Sequence, residues 1–142
     1  MSKIKENYLF VYGTLKRNFG NNVLLQFSEF LGKAITKDKY IMLSSGIPYV
    51  IKECNLYKNI EKLNIFGELY KVDMFTLYDC DKLEGHPFFY KREKIKVILL
   101  NKNKEIEAWL YFVNNLVFEN IPIAPVKEIM FNNKKIRCYC YE

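Results

Sequence analysis

The chain has 142 residues, half of them hydrophobic and 16% aromatic, with 22 lysines and arginines against 16 acidic residues and a net charge of +6. This length sets the expectation of one domain, 1–142, able to bury a core without staples, and the apolar content excludes a disordered chain. No apolar run approaches the ~20 residues of a membrane span or has the form of a signal peptide, so the expectation is a soluble cytoplasmic protein without a membrane partner.

The first predicted element is a strand over Asn7–Tyr12, whose apolar run breaks on Gly13-Thr14 and the basic pair Lys16-Arg17. A strand ending this way either simply turns or presents backbone N–H groups to a ligand, and the local sequence leaves both readings open. A helix is predicted from a cap at Asn21-Asn22 through Leu24, Phe27 and Phe30 to a stop at Gly32. Ala34–Leu43 and Ile47–Ile51 read as strands around the turn "SSGIP", and Leu63–Val72 as a longer strand with Gly67 at a bulge or a point of close approach.

The clearest helix follows. Asp73 is its N-cap, Leu77, Cys80 and Leu83 share a face, and Gly85 is the stop. Lys94–Leu100 alternates in polarity, Glu105–Val113 is a strand holding the only tryptophan, and Ile136–Tyr141 is a candidate last strand. About seven strands and two or three helices without strict alternation predict an α+β fold with an antiparallel or mixed, strongly curved sheet.

Several chemistries lack their residues. One histidine and a C-x-C pair at Cys138 and Cys140 do not make a zinc or redox site, so the four cysteines are expected as free buried thiols. Neither glycine-rich nucleotide loop nor a G-x-S-x-G elbow is present. Only three basic residues are arginines, and the lysines are scattered, which favours a solvated surface over a nucleic-acid interface.

The second informative stretch is "DKLEGHPFFYKR", Asp81 to Arg92. Glu84 ends the predicted helix, where the dipole opposes a negative charge, among Leu83, Phe88, Phe89 and Tyr90. Both influences raise a carboxyl's pKa, which suits a group that takes and returns a proton. A solvent-facing glutamate at a helix end is the plainer alternative. Glu68 is a rival carboxylate, although a mid-strand glutamate more often pairs with a cross-strand lysine. His86, next to Pro87, reads as a loop residue.

Taken in order, "VYGTLKR", "GELYKVD" and "LEGHPFFYKR" resemble the γ-glutamylcyclotransferase-like family, over roughly Tyr8 to Val113 and most closely its γ-glutamylaminecyclotransferase branch. The resemblance implies a small barrel-like mixed sheet with flanking helices, one catalytic glutamate, no cofactor and no metal. It places the γ-glutamyl-binding loop on Tyr12, Gly13, Thr14 and Leu15, the catalytic carboxyl on Glu84 and a pocket-lining aromatic on Tyr90. Lys16 and Arg17 would add a positive field. The implied reaction releases 5-oxoproline and a free amine from a γ-glutamylamine such as γ-glutamyl-ε-lysine. The branch carries Ser-Cys where Gly85-His86 stand here. The same chemistry on γ-glutamyl-α-amino acids, or a catalytically silent binding module, are the alternatives.

Overall fold

The computed structural model describes residues 7–13, 15–17, 20–44, 48–52, 61–113, 124–125, 128–131 and 133–138. In chain order the strands are β1 (Asn7–Val11), β2 (Glu29–Thr36), β3 (Ile41–Ser44), β4 (Pro48–Ile51), β5 (Asn64–Val72), β6 (Tyr90–Leu99), β7 (Lys104–Val113), β8 (Ala124–Pro125), β9 (Glu128–Phe131) and β10 (Lys134–Arg137). Among the described residues there is one α-helix, α1 (Met74–Glu84), and one 3-10 helix (Gly20–Leu25).

Strands β1, β7, β6, β2 and β5 are hydrogen-bonded in that order, and β5 pairs back onto β1, closing a five-stranded barrel. The β1–β7 pairing is parallel and the others antiparallel, so the sheet is mixed and curved as expected. Period-two alternation accounts for its two buried faces. One carries Phe10, Ala34, Leu69, Val97 and Leu110. The other carries Leu9, Val11, Tyr70, Val72, Tyr111 and Val113, onto which Leu77 and Cys80 of α1 pack. Closure requires tight strand contact at Gly67, where a Cβ would run into the Val11 carbonyl oxygen and the Phe10 ring.

Helix α1 begins and ends where the sequence indicates. The Asp73 carboxylate accepts from the Thr76 N–H at 2.7 Å, and Gly85 closes the helix in the left-handed region at φ 67°. Removing that cap leaves a helix-terminal N–H without its partner. Asp73→Ala is expected to lower the urea midpoint of unfolding, and an unchanged midpoint would contradict this.

Two expectations are corrected. Residues 21–32 are not one helix: the 3-10 helix ends at Leu25, and Phe30 and Gly32 belong to β2, with a register shift between them against β5. The spacing of Leu24, Phe27 and Phe30 does not track burial, since Phe27 is 94% exposed. The strand expected over 34–43 is two strands. The Asn64 side-chain amide donates to the carbonyls of Thr36, Lys37 and Asp38, holding a turn between β2 and β3.

The cysteine expectation holds for Cys80, a free buried thiol whose pKa burial pushes up to about 12, but Cys138 is disulfide-bonded. Its near-complete burial satisfies a free thiol and a bridged sulfur equally, so burial alone could not separate them. Cys54 and Cys140 lie outside the described residues. Near the C-terminus, β10 adds to the start of β5 through Ile136↔Asn64 and Arg137↔Ile65. The predicted strand continuing to Tyr141 lies partly outside the described residues.

Candidate active site

The end of β1, the C-terminal turn of α1 and the starts of β4 and β6 converge on one pocket, lined by Phe10, Val11, Tyr12, Gly13, Leu15, Pro48, Glu84, Tyr90 and Tyr111. The sequence-predicted residues Tyr12, Gly13, Leu15, Glu84 and Tyr90 are thus brought together. Thr14 lies outside the described residues. Gly13 is needed because a Cβ there would stand 2.8 Å from the Pro48 ring, which closes the pocket beside it. Beyond Gly13 the chain turns, with the Lys16 N–H donating to the Gly13 carbonyl at 3.0 Å.

Glu84 arrives on a stripe of α1 made by Leu77, Cys80, Asp81 and Glu84, at the spacing of one helical face. Leu83, expected on that face, is 43% exposed, and Phe88 is more exposed still. Of the expected neighbours Tyr90 does line the pocket with Glu84, and the rest of its surroundings come from walls remote in sequence, Phe10, Val11 and Tyr111 among them. Burial there pushes its carboxyl up to about 7. The ionised form loses hydration that the walls do not replace.

Three tyrosines bound the pocket, and each hydroxyl has a fixed partner. Tyr12 donates to the Tyr111 carbonyl at 2.6 Å, Tyr90 to the Pro48 carbonyl at 3.2 Å and Tyr111 to the Asp81 carboxylate at 2.6 Å. Burial raises all three phenols, with the Glu84 charge adding to the effect on Tyr12 and Tyr90 and the Asp81 bond adding to it on Tyr111. They remain neutral donors. Tyr90 also stacks on Tyr49, with centroids 6.1 Å apart and planes at 14°.

Asp81 and Arg92 support this arrangement. The Arg92 Nε donates to Asp81 at 2.8 Å, its guanidinium lies 4.3 Å from the Trp109 ring centre, and its backbone N–H donates to His86 Nδ1 at 3.2 Å. These contacts lash the end of α1 and the turn after it to β6 and β7, which fixes Glu84 one helical turn beyond Asp81. His86 is the loop residue expected. Sequence reasoning did not single out Asp81, Tyr111 or Pro48. The first two carried a signal, since Asp81 lies four residues from Leu77 and three from Glu84, and Tyr111 alternates with Trp109 and Val113.

The basic pair behaves differently from the expectation. Neither Lys16 nor Arg17 lines the pocket. Lys16 is buried, and desolvation lowers its pKa against the opposing pull of Glu68. The Arg17 guanidinium pairs with Glu68 at 3.3 Å and lies 4.0 Å from the Phe30 ring centre. Both charges interact with Glu68, which is not among the pocket's lining residues.

Residues 9–141 match the family model described as gamma-glutamyl cyclotransferase, AIG2-like. A protein of Methanocaldococcus jannaschii provisionally named a gamma-glutamylcyclotransferase is 49% identical over 107 residues, covering 74% of this chain and 82% of its own length. The bovine gamma-glutamylaminecyclotransferase is 32% identical over 108 residues, covering 72% of this chain and 63% of its own. The crystal structure of a mouse AIG2-like protein superposes with a TM-score of 0.65 at 23% identity, over 82% of this chain and 84% of that one, which shows a shared fold. The chain belongs to the gamma-glutamyl cyclotransferase, AIG2-like family.

Proposed function

We propose that this chain is a cytoplasmic, single-domain cyclotransferase acting on γ-glutamylamines, with Glu84 as its general base and acid. The observation that carries the reading is a carboxyl raised to about 7 in a tyrosine-walled pocket that Tyr12, Gly13 and Leu15 also line. The substrate's α-amine attacks its own γ-carbonyl. A C–N bond closes the five-membered ring, and the amide C–N bond breaks as the tetrahedral intermediate collapses. Glu84 takes the proton released by the attacking nitrogen and returns it to the leaving amine, so one carboxyl ends the cycle as it began.

The loop supplies the other half. The Lys16 and Arg17 N–H groups are engaged within the protein, so the donors offered to the γ-glutamyl part are those before Lys16. Backbone donors at a turn suit both a carboxylate and a developing oxyanion. Tyr90 walls the pocket beside Glu84. An internal nucleophile also fits a pocket with no serine or cysteine among its described lining residues. The similarity to aminecyclotransferases supports an amine as leaving group.

The test is direct. The purified chain, incubated with γ-glutamyl-ε-lysine and with several γ-glutamyl-α-amino acids, is expected to release 5-oxoproline from the isopeptide, followed by mass spectrometry. Release from the α-amino-acid conjugates alone would keep the chemistry and replace the substrate class. Release from none of them by a folded protein would overturn the reading.

A further inference from the structure

Glu68 sits on β5 directly opposite Val11 of β1 and Lys33 of β2, yet its carboxylate does not take the cross-strand lysine as its short-range partner. Only 8% exposed, it turns toward the loop that follows β1. Oε1 accepts the backbone N–H of Arg17 at 2.8 Å, and Oε2 takes the Arg17 Nε at 3.3 Å. The Tyr70 hydroxyl donates to the same Oε1 at 3.3 Å. The Asn22 amide nitrogen, 3.1 Å from that hydroxyl, donates to the Leu15 carbonyl at 2.7 Å. The segment Leu15–Arg17 is therefore held at both ends, at a carbonyl and at an N–H, by one connected polar network. Leu15, whose carbonyl is the first tether, also lines the pocket.

We propose that Glu68 is a positioning residue of the site: by holding the Arg17 amide it sets the position of the Leu15–Arg17 segment, and with it the Leu15 wall and backbone that the pocket offers to the γ-glutamyl group. This rests on the reading of the Tyr12–Leu15 loop as the substrate-binding element. A bond from an amide to an ionised carboxylate is roughly twice as strong as a neutral one. Carboxylates buried to this degree are retained where they are paired and bonded, as this one is. The tether acts on the main chain, so the Arg17 side chain is an accessory to it. A displacement of about 1 Å in such an element lowers turnover by roughly 10²-fold.

Three variants separate this role from a general structural one. Glu68→Ala removes both bonds to Arg17, at its N–H and at its Nε, and is expected to lower kcat/KM by about 10- to 100-fold at temperatures well below its Tm. Glu68→Gln keeps an oxygen for the Arg17 N–H and is expected to recover much of that loss. Arg17→Ala keeps the amide bond and is expected to lose less than Glu68→Ala. The acid limb of the pH profile stays near 7 in all three, because Glu84 is untouched. In parallel, amide hydrogen exchange on the unliganded proteins is expected to speed at Arg17 by about 10-fold or more in Glu68→Ala, while α1 keeps its protection.

Equal losses in Arg17→Ala and Glu68→Ala would overturn the proposal, as would unchanged exchange at the Arg17 amide. A wild-type chain that releases no 5-oxoproline would sink the functional reading instead. The exchange measurement would still decide whether Glu68 holds the loop.

Discussion

Glu84→Gln is expected to lower kcat for 5-oxoproline release by about 10²–10⁴-fold while leaving the fold intact and the affinity for substrate close to wild type. Glutamine has the shape of glutamate and keeps the pocket filled, but it neither takes nor returns a proton. The other ionisable groups lining the pocket are poor substitutes. Tyr12, Tyr90 and Tyr111 are each raised by burial and committed to a carbonyl or carboxylate acceptor. Turnover is read by 5-oxoproline formation and binding by calorimetry with the variant, which holds substrate without consuming it. A variant retaining full activity would remove Glu84 from the mechanism.

The wild-type pH profile gives the same assignment an independent signature. Glu84 must be ionised to accept the first proton, so kcat/KM is expected to fall as pH drops through about 7. Residual activity in Glu84→Gln should lack that limb. A carboxyl near neutrality spends comparable time in both protonation states, which suits a group asked to act as base and then acid. One feature of the site, burial of Glu84 against tyrosine and aliphatic walls, produces this balance.

How far the sequence reaches depends on whether the signal is local. Helix α1 was legible because its determinants lie within it: the Asp73 cap, the Leu77–Cys80 stripe and the Gly85 stop. The Lys94–Leu99 part of β6 was legible because alternation of Lys94 and Lys96 with Ile95, Val97 and Leu99 is itself the two faces of a strand, whereas its pairing with β7 was not. Tyr12, Gly13, Leu15, Glu84 and Tyr90 were legible as a set through the ordered motifs and the spacing between them. Other features depend on partners remote in sequence. The break between β2 and β3 is stabilised by Asn64, 26 to 28 residues away from the carbonyls it binds. Glu68 was weighed against a lysine across the strand, and its partner proved to be the main chain of Arg17, 51 residues earlier. The cause assigned to the raised Glu84 pKa also needed the fold, since Leu83 and Phe88 point to solvent and Phe10, Val11 and Tyr111 take their place.

The same burial predicts that Glu84 destabilises the protein it serves. Its folded-state pKa of about 7 lies above the reference value of 4.5, so between those two values the native state binds more protons than the unfolded chain. Stability therefore falls as pH rises through that window, and the deficit is complete above it. At roughly 1.4 kcal/mol per unit, reduced for the partial solvent contact of this carboxyl, the deficit is on the order of 2–3 kcal/mol. Glu84→Gln has no charge to desolvate and is expected to be more stable than wild type by about that amount at pH 8, with the gap closing toward pH 4 as the wild-type carboxyl becomes protonated in both states. In a domain of this size such a difference raises Tm by roughly 5–10 °C. Thermal or urea unfolding of the two proteins at pH 4, 6 and 8 measures it. A constant difference across that range would mean that glutamine changes packing alone and that the Glu84 charge carries no folding penalty. A gap that opens through about pH 5–7 would locate the raised pKa by a route that does not involve catalysis.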